Sequence, residues 1–206
     1  MSKYFSDMET ASRDELTKLQ NERLVETVNH IYNNMAPYRA KMEEMGLTPD
    51  DIKSIDDLHK LPFLTKDFLR DNYPDKLCAV PKTDCVRIQS TSGTTGKRVV
   101  MFYTQDDVDI WDECCARALV AAGATKDDVV HVSYGYGLFT GGAGLHGGSH
   151  KLGSLTLPMS SGNTDRQITF MQDLGATILC CTPSYAAYIG ETLHEMGLTP
   201  DDIKLK

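Results

Sequence analysis

The chain lacks the features that would place it in a membrane or in the secretory pathway. No stretch approaches the roughly 18 consecutive apolar residues that a transmembrane helix needs. The start of the chain, MSKYFSDMETASRDEL, contains no apolar segment typical of a signal peptide. We therefore expect a cytoplasmic protein without a membrane partner.

Positive charge is also scarce. The 21 lysines and arginines are outnumbered by 29 aspartates and glutamates, which gives a net charge of −8. A global positive field that would attract nucleic acid is therefore missing, and we expect no nucleic-acid partner. An anionic ligand must instead be held by local groups.

The cysteines and histidines form no recognisable metal-binding or disulfide pattern. No pair of cysteines makes a C-x-x-C motif, and two pairs are neighbours in the sequence. The cysteines are Cys78, Cys85, Cys114, Cys115, Cys180 and Cys181. This arrangement favours reduced, partly buried thiols. His146 and His150 are four residues apart, but the segment HGGSH predicts a poor helix, so we assign no metal site.

The two parts of the chain predict different structures. Residues 1–80 are mainly helical in pattern, beginning with a capping box formed by Ser12 and Glu15. In residues 81–206, apolar runs such as DVVHVSY and ATILCCT alternate with helical patterns. Continuous apolar strands joined through helices are typical of a parallel sheet covered by helices. We therefore predict an α/β fold, with a helical N-terminal region followed by a partly parallel, helix-covered sheet.

One ten-residue sequence, EMGLTPDDIK, occurs at 44–53 and again at 195–204. Two distant copies are too few for a repeat protein. Each copy predicts a helix that ends at glycine, followed by a threonine cap and a proline in the first position of a new helix. We interpret the copies as two joints that use the same local chemistry.

The segment QSTSGTTGKRVVMFYT, residues 89–104, places hydroxyls and glycines between two strand-like runs. It does not fit G-x-x-x-x-G-K-[ST], because Thr91 and Arg98 stand where that motif needs Gly and Ser or Thr. A conventional P-loop NTPase is therefore disfavoured. Backbone N–H groups at the glycines, the hydroxyls and Lys97 could still form an anion site. A polar β-hairpin loop with turn glycines is the alternative.

The loop and its surroundings resemble the adenylate-forming acyl ligases. STSGTTGKRVV is similar to the phosphate-binding loop of that superfamily, which is roughly T-S-G-[ST]-T-G before a strand. Three further blocks are similar to the phenylacetate–CoA ligase family, from about residue 10 onward. These blocks are IDDLHKLPFLTKDFLRDNYPDKLCAVP, GLFTGGAGLHGGSHKLGSLTLPMSSGNTDRQI and CTPSYAAYIGE. Many relatives have proline in place of Arg98, a departure that bears on the exit geometry of the loop.

The resemblance implies an AMP-forming acid–CoA ligase that acts on phenylacetate, or a similar aryl or small carboxylic acid, through an acyl-adenylate. ATP, Mg²⁺ and coenzyme A are the implied cofactors and co-substrates, and phenylacetate catabolism is the implied role. Family members are more than twice as long. We therefore expect the incomplete N-terminal part of the large domain, with the adenylation lysine in the absent C-terminal remainder and no catalytic residue assigned in this chain.

Such a part is expected to self-associate or to pair with the missing C-terminal part. A non-catalytic module that binds a nucleotide or a partner is the alternative. Residues 81–206 would be the first part of the domain that binds ATP and the acid.

The resemblance also implies two sets of ligand-binding residues. The ATP phosphates would be bound by Thr91, Ser92, Gly93, Thr94, Thr95, Gly96 and Lys97. The acid-substrate pocket would be formed by Tyr136, Phe139, Gly141, Gly142 and Gly144. Composition alone favours a simpler interpretation of the second set, in which the aromatic rings fill core space beside a glycine-rich turn.

Overall fold

The computed structural model describes residues 4–93 and 96–206. The described residues form two compact units, which we name the helical unit, within residues 7–105, and the sheet unit, residues 106–206 together with residues 4–6. The predicted division into residues 1–80 and 81–206 stays a prediction. In this structure the strands between residues 85 and 104 group with the helices that precede them.

Helices dominate the helical unit. The α-helices are α1 (Arg13–Asn34), α2 (Ala36–Glu44) and α3 (Lys66–Asp71), and short 3-10 helices occupy Asp7–Thr10, Pro49–Asp51, Ile55–Lys60 and Lys82–Asp84. The predicted capping box at the start of α1 is confirmed, because Ser12 N–H donates to the Glu15 carboxylate at 2.8 Å and Glu15 N–H donates to Ser12 Oγ at 3.3 Å. The buried core of the unit consists of Val28, Tyr38, Met42 and Ile52.

A β-hairpin completes the helical unit. Strands β1 (Cys85–Ser90) and β2 (Val100–Thr104) pair antiparallel, with Ser90 opposite Val100. Residues 91–99 connect them and are named the hairpin loop below.

The sheet unit alternates strands and helices. Its helices are α4 (Gln105–Ala121), α5 (Thr140–Leu152), α6 (Thr164–Asp173) and α7 (Pro183–Glu195). The first residue of α4, Gln105, is the last residue of the helical unit. Its strands are β3 (Val129–Val132), β4 (Leu155–Leu157) and β5 (Ile178–Cys180), arranged β4-β3-β5 with both pairings parallel. A last 3-10 helix spans Pro200–Asp202. The predicted α/β fold with a parallel sheet is confirmed.

The prediction that HGGSH is a poor helix is wrong, because this segment lies inside α5. Glycine costs roughly 0.5–1 kcal/mol relative to alanine in a helix, but tertiary contact explains its use here. A Cβ added to Gly148 would lie 2.5 Å from Cys115 Cβ and 2.8 Å from Ala116 N, both in α4. The close approach of α5 to α4 therefore requires glycine.

The start of α6 also differs from the prediction. The sequence favours a capping box from Thr164 to Gln167, whereas the structure has Asn163 as the cap, with its side-chain oxygen accepting from Arg166 N–H at 3.2 Å. Gln167 is instead fully buried and hydrogen-bonded elsewhere. Within the part of the chain that the structure describes, no helix combines the length and apolar character that a membrane crossing needs.

Candidate functional site

The hairpin loop is the first candidate site. Thr91 N–H donates to Val99 O at 3.0 Å, and Val99 N–H donates to Thr91 Oγ1 at 3.1 Å. These two bonds close the base of the loop, and one lone pair of Thr91 Oγ1 is thereby used by the backbone N–H of Val99. Thr94 and Thr95, which were predicted to bind phosphate, lie outside the described residues.

Two glycines of the hairpin loop have backbone conformations that other residues rarely adopt. Gly93 has φ +72° and Gly96 has φ +128°. A Cβ at Gly93 would also lie 2.6 Å from Arg98 Cγ. Gly96 N–H donates to Gly93 O at 3.2 Å, so this N–H already has a partner. Both positions therefore favour glycine.

Several donors of the hairpin loop face solvent. Ser92 and Lys97 are exposed, as is Thr91. A hydroxyl and an ammonium group at the rim of a turn are suited to a phosphate ligand. They are equally compatible with a polar hairpin loop, which was the alternative from the sequence.

The second candidate site is a cavity of about 430 Å³ in the sheet unit. It is named the tyrosine cavity and is lined by Ser133, Tyr134, Gly135, Ser161, Thr182, Ser184, Tyr185 and Tyr188. Residues 133–135 follow β3 and residue 182 follows β5, so the cavity lies at the carboxyl ends of two parallel strands. Open α/β sheets commonly bind ligands at this edge.

The start of α7 forms one wall of the tyrosine cavity. As the sequence predicts, Thr182 caps this helix, and its Oγ1 accepts from Tyr185 N–H at 3.4 Å. Tyr185 OH lies 3.1 Å from Thr164 Oγ1, which fixes the phenol on α6. The rings of Tyr185 and Tyr188 are 6.3 Å apart between centroids. This wall therefore presents two aromatic rings, and the hydroxyl of Tyr185 is held in place by Thr164.

A buried hydrogen-bond network holds the opposite wall. Gln167 Nε2 donates to the carbonyls of Ser160 at 3.1 Å and Gly162 at 2.8 Å. Its Oε1 accepts from Ser133 Oγ and lies 3.0 Å from His131 Nε2. Because both amide hydrogens are bound to carbonyls, Oε1 can only accept, and His131 Nε2 must carry a hydrogen. Burial lowers the pKa of His131 and so favours the neutral ring, with the Gln167 hydrogen bond opposing this effect.

This network positions a strained segment. Ser160 and Asn163 have φ +65° and +49°, which non-glycine residues seldom adopt. Gln167 binds the segment from the α6 side, and Ser160 N–H donates to Val132 O at 3.1 Å. Ser161, between these anchors, is thereby held in the cavity wall.

The aromatic residues predicted for the acid pocket lie beside α5. Tyr136 is half-buried, its hydroxyl is 3.3 Å from His146 Nδ1, and burial raises its pKa. Phe139 precedes α5 and is 59% exposed. A Cβ at Gly141 would lie 3.0 Å from Phe139 Cε1 and 3.3 Å from Tyr134 Cδ1. A side chain at Gly141 would therefore crowd two aromatic rings.

The other two predicted glycines allow close packing. A Cβ at Gly142 would lie 2.8 Å from Gly135 O, and one at Gly144 would lie 2.5 Å from Trp111 Nε1. Both glycines are buried. Of the described residues, those that line the tyrosine cavity do not include the five predicted for the acid pocket.

Sequence reasoning missed most of the cavity wall. The sequence does not single out Ser133, Ser161 or Tyr188, although Tyr134 and Tyr185 each follow an apolar strand and are possible cleft residues on that ground. Position offered a usable signal, because residues that directly follow parallel strands share one edge of the sheet. Ser161 offered no such signal, since its place depends on the buried Gln167.

Comparison with known proteins agrees with the motifs. A phenylacetate-coenzyme A ligase of Pseudomonas putida is 46% identical over 199 residues, 97% of this chain. Similar ligases of Escherichia coli (strain K12) and Thermus thermophilus are 48% and 42% identical over 91% and 98% of the chain. The chain is a sequence relative of the phenylacetate-coenzyme A ligases. The resemblance that the loop and its flanking blocks predict is thus confirmed, although no protein-family model matches the chain.

The fold agrees with the same superfamily. A crystal structure of 2-hydroxyisobutyryl-CoA ligase in complex with 2-HIB-AMP and CoA matches with a TM-score of 0.92 and 26% identity. An open conformation of that enzyme matches with a TM-score of 0.91 and 25% identity. Each match covers 100% of this chain, but only 45% and 49% of the other.

The chain spans less than half the length of its curated relatives. It covers 45% of the Pseudomonas putida ligase, 46% of the Thermus thermophilus ligase and 43% of the Escherichia coli ligase. More than half of each relative therefore has no counterpart in this chain.

Proposed function

We propose that the chain is the part of an AMP-forming acid–CoA ligase that holds the nucleotide phosphates and the acid. The reaction has two steps. A carboxylate oxygen attacks the α-phosphorus of ATP, and pyrophosphate leaves to give an acyl-adenylate. The thiolate of CoA then attacks the acyl carbon, and AMP leaves to give a thioester. Identity of 42–48% to named phenylacetate-coenzyme A ligases carries this proposal.

In this proposal residues Thr91 to Lys97 of the hairpin loop bind the β- and γ-phosphates of ATP. The positive φ angles of Gly93 and Gly96 support it, because the backbone concavities that bind anions are built with such conformations. The exposed Lys97 adds a positive charge that the net charge of the chain does not supply. Thr94 and Thr95 remain predicted phosphate ligands on the strength of the motif alone.

The acid substrate is proposed to bind beside the amino-terminal end of α5. Tyr136 and Phe139 would contact an aryl or small acyl group directly, and Gly141 avoids a side chain that would crowd Phe139 and Tyr134. Gly142 and Gly144 would act indirectly, since their contacts with Gly135 and Trp111 fix the position of α5. Phenylacetate is the first acid to test, because the named relatives are ligases for it.

The other components of the reaction are proposals of the same kind. Within residues 4–93 and 96–206, no three or more His, Cys, Asp and Glu side chains cluster to hold a metal ion. We therefore propose that Mg²⁺ is bound mainly by nucleotide phosphate oxygens. We further propose that coenzyme A is the acyl acceptor and that the chain pairs with a C-terminal part. The proposed location is the cytoplasm, and the proposed role is phenylacetate breakdown.

The test separates binding from turnover. ATP binding to the 206-residue chain is measured by calorimetry, and pyrophosphate release with ATP and phenylacetate is measured with and without the complementary part of the Pseudomonas putida ligase. We expect binding by the chain alone and pyrophosphate release only from the combination. Binding without release from the combination would instead favour the non-catalytic module, and phosphate release by the chain alone would favour an NTPase.

A triple variant tests the hairpin loop. Replacing Thr94, Thr95 and Lys97 with alanine should abolish ATP binding, because it removes two hydroxyls and the only cation of the predicted set. The matched control replaces Lys151 and Thr169, which are exposed residues of the same types outside the loop. Unchanged ATP affinity in the triple variant would exclude the loop from the mechanism.

A further inference from the structure

Two cysteines of the helical unit bring their sulfur atoms close together. Cys78 Sγ lies 3.9 Å from Cys85 Sγ, and both residues are half-buried. Cys78 Sγ also donates to Val80 O at 3.2 Å, which fixes this side chain on the inner side of the intervening segment. The segment CAVPKTDC thus forms a short loop whose two ends meet through their thiols.

An ion pair holds the two ends in register. Asp75 and Lys82 are joined at 2.6 Å, and each stands three residues before one of the cysteines. Cys78 N–H donates to Asp75 O at 3.0 Å, and Cys85 N–H donates to Lys82 O. The turns 75–78 and 82–85 therefore have the same length. The ion pair joins their first residues, and each turn ends at a cysteine.

The ion pair keeps Lys82 in its charged form. The hydrogen bond to Asp75 raises the pKa of Lys82 most, and the negative charge of Asp75 raises it further.

We propose that Cys78 and Cys85 form a reversible disulfide by exchange with a small disulfide such as oxidised glutathione. The Cys78 thiolate attacks one sulfur of the small disulfide and expels one thiolate. Cys85 loses its proton and attacks the Cys78 sulfur, which expels the second thiolate. Two electrons pass from the cysteines to the small disulfide, which becomes two thiols.

The geometry needs little rearrangement. A disulfide bond is about 2.05 Å long, so the sulfurs must approach by about 2 Å, shared between two side chains of a surface segment. The product would tie the turn after α3 to Cys85, the first residue of β1, and so to the base of the hairpin.

The remaining cysteines are poorer candidates. Cys114 and Cys115 are consecutive, as are Cys180 and Cys181. Consecutive Cα atoms are about 3.8 Å apart, below the usual separation of roughly 4.4–6.8 Å across a disulfide. Burial also raises the pKa of Cys180 to about 11, which keeps its thiol protonated. Selective oxidation should therefore occur at residues 78 and 85.

Peptide mapping tests the proposal directly. The 206-residue chain is equilibrated in glutathione redox buffer, its remaining thiols are blocked with N-ethylmaleimide, and it is digested with trypsin. We expect peptides LCAVPK (77–82) and TDCVR (83–87) to be joined in a species about 2 Da lighter than their sum, and to separate with dithiothreitol. Cys78→Ser should abolish the joined species. Cross-links dominated by any other cysteine pair would overturn the proposal.

A second variant tests the ion pair and does not touch sulfur. Asp75→Asn should slow disulfide formation roughly threefold or more, because the two turns lose their clamp. Asp71→Asn is the matched control, since Asp71 is an exposed acid of the preceding helix. Equal rates in the two variants would overturn the role assigned to Asp75 and Lys82.

Discussion

The two copies of EMGLTPDDIK, at 44–53 in the helical unit and 195–204 in the sheet unit, have nearly the same backbone. Each begins at the end of an α-helix, and a glycine with positive φ turns the chain, with +70° at Gly46 and +74° at Gly197. The leucine that follows donates its N–H to a helix carbonyl at 2.9 Å in both copies. Identical local sequence has therefore produced nearly the same turn and cap in two different surroundings, and the backbones diverge at the isoleucine, where ψ is 103° at Ile52 and 149° at Ile203.

The threonine and aspartate of each copy repeat the same contacts. Thr48 N–H and Oγ1 donate to the Asp51 carboxylate at 2.8 and 2.9 Å. Thr199 N–H and Oγ1 donate to Asp202 at the same two distances. These bonds close within four residues, so they need nothing from the rest of the molecule.

The copies differ in what surrounds their isoleucine. Ile52 is 1% exposed and belongs to the buried core with Val28 and Met42. Ile203 is only half-buried and packs on the outside of the core around Ile168. The comparison separates local from tertiary structure. The ten residues set the turn and the cap, whereas residues distant in the sequence set how deeply the isoleucine is buried.

The largest expected difference between the two copies is the stability lost when this isoleucine is replaced by alanine. Ile52→Ala should lower the free energy of unfolding of the helical unit by about 3 kcal/mol, because it leaves a cavity in a closed core. Ile203→Ala should cost about 1 kcal/mol in the sheet unit, since solvent already reaches that side chain. Urea unfolding followed by hydrogen exchange of peptides from each unit measures both, with the two Ile→Val variants as milder controls. Equal losses would contradict the assigned difference in burial.

The next effect should be the same in both copies. Gly46→Ala and Gly197→Ala should each cost about 1 kcal/mol, because alanine is strained at positive φ while open space surrounds both positions. Gly190→Ala is the control, since Gly190 lies inside α7 with no neighbour within 4 Å of an added Cβ. That variant should be stabilising by about 0.5 kcal/mol. Urea unfolding measures all three, and a destabilised control would show that sterics rather than φ decides.

The features that the sequence could predict are those that depend on local sequence. The glycine stops, the threonine caps and the parallel sheet were predictable, because each depends on a few adjacent residues or on a continuous apolar strand such as residues 129–132. The helix around HGGSH was not, because intrinsic propensity opposes it and contact with Cys115 on α4 decides it.

The candidate site divides in the same way. The hairpin loop was predicted with its turn glycines because Gly93 and Gly96 act locally. The wall of the tyrosine cavity was largely missed, because Ser161 is placed through Gln167 and the buried His131, far away in sequence. The Cys78–Cys85 contact was missed as well, since it depends on how the intervening residues turn, which spacing alone does not reveal.

A smaller effect tests the caps. Thr48→Ala and Thr199→Ala should each lower the free energy of unfolding by about 0.5–1 kcal/mol, because each removes a hydroxyl that donates to the carboxylate. Serine at either position keeps the hydroxyl and should retain most of the stability. The same urea experiments apply. A loss in one copy that is several times the loss in the other would show that the surroundings contribute to the cap.

The smallest effect is electrostatic and should separate the copies again. The Thr48 backbone and then its side chain lower the pKa of Asp51 below 3.8, and Thr199 does the same for Asp202. Each carboxylate therefore stabilises the fold above its unfolded pKa, and this contribution is lost as pH falls through its folded pKa. Lys60 and Lys53 lower the pKa of Asp51 only.

Salt should expose that difference. Because exposed charges are screened by ions, added salt should raise the pKa of Asp51 more than that of Asp202, while the short bonds to threonine persist in both. Carboxyl resonances followed by NMR during acid titration at low and high salt provide the measurement, and Asp51→Asn and Asp202→Asn assign the signals. Equal salt shifts in the two copies would mean that the lysines do not act on Asp51, and that the ten-residue sequence alone sets both carboxylates.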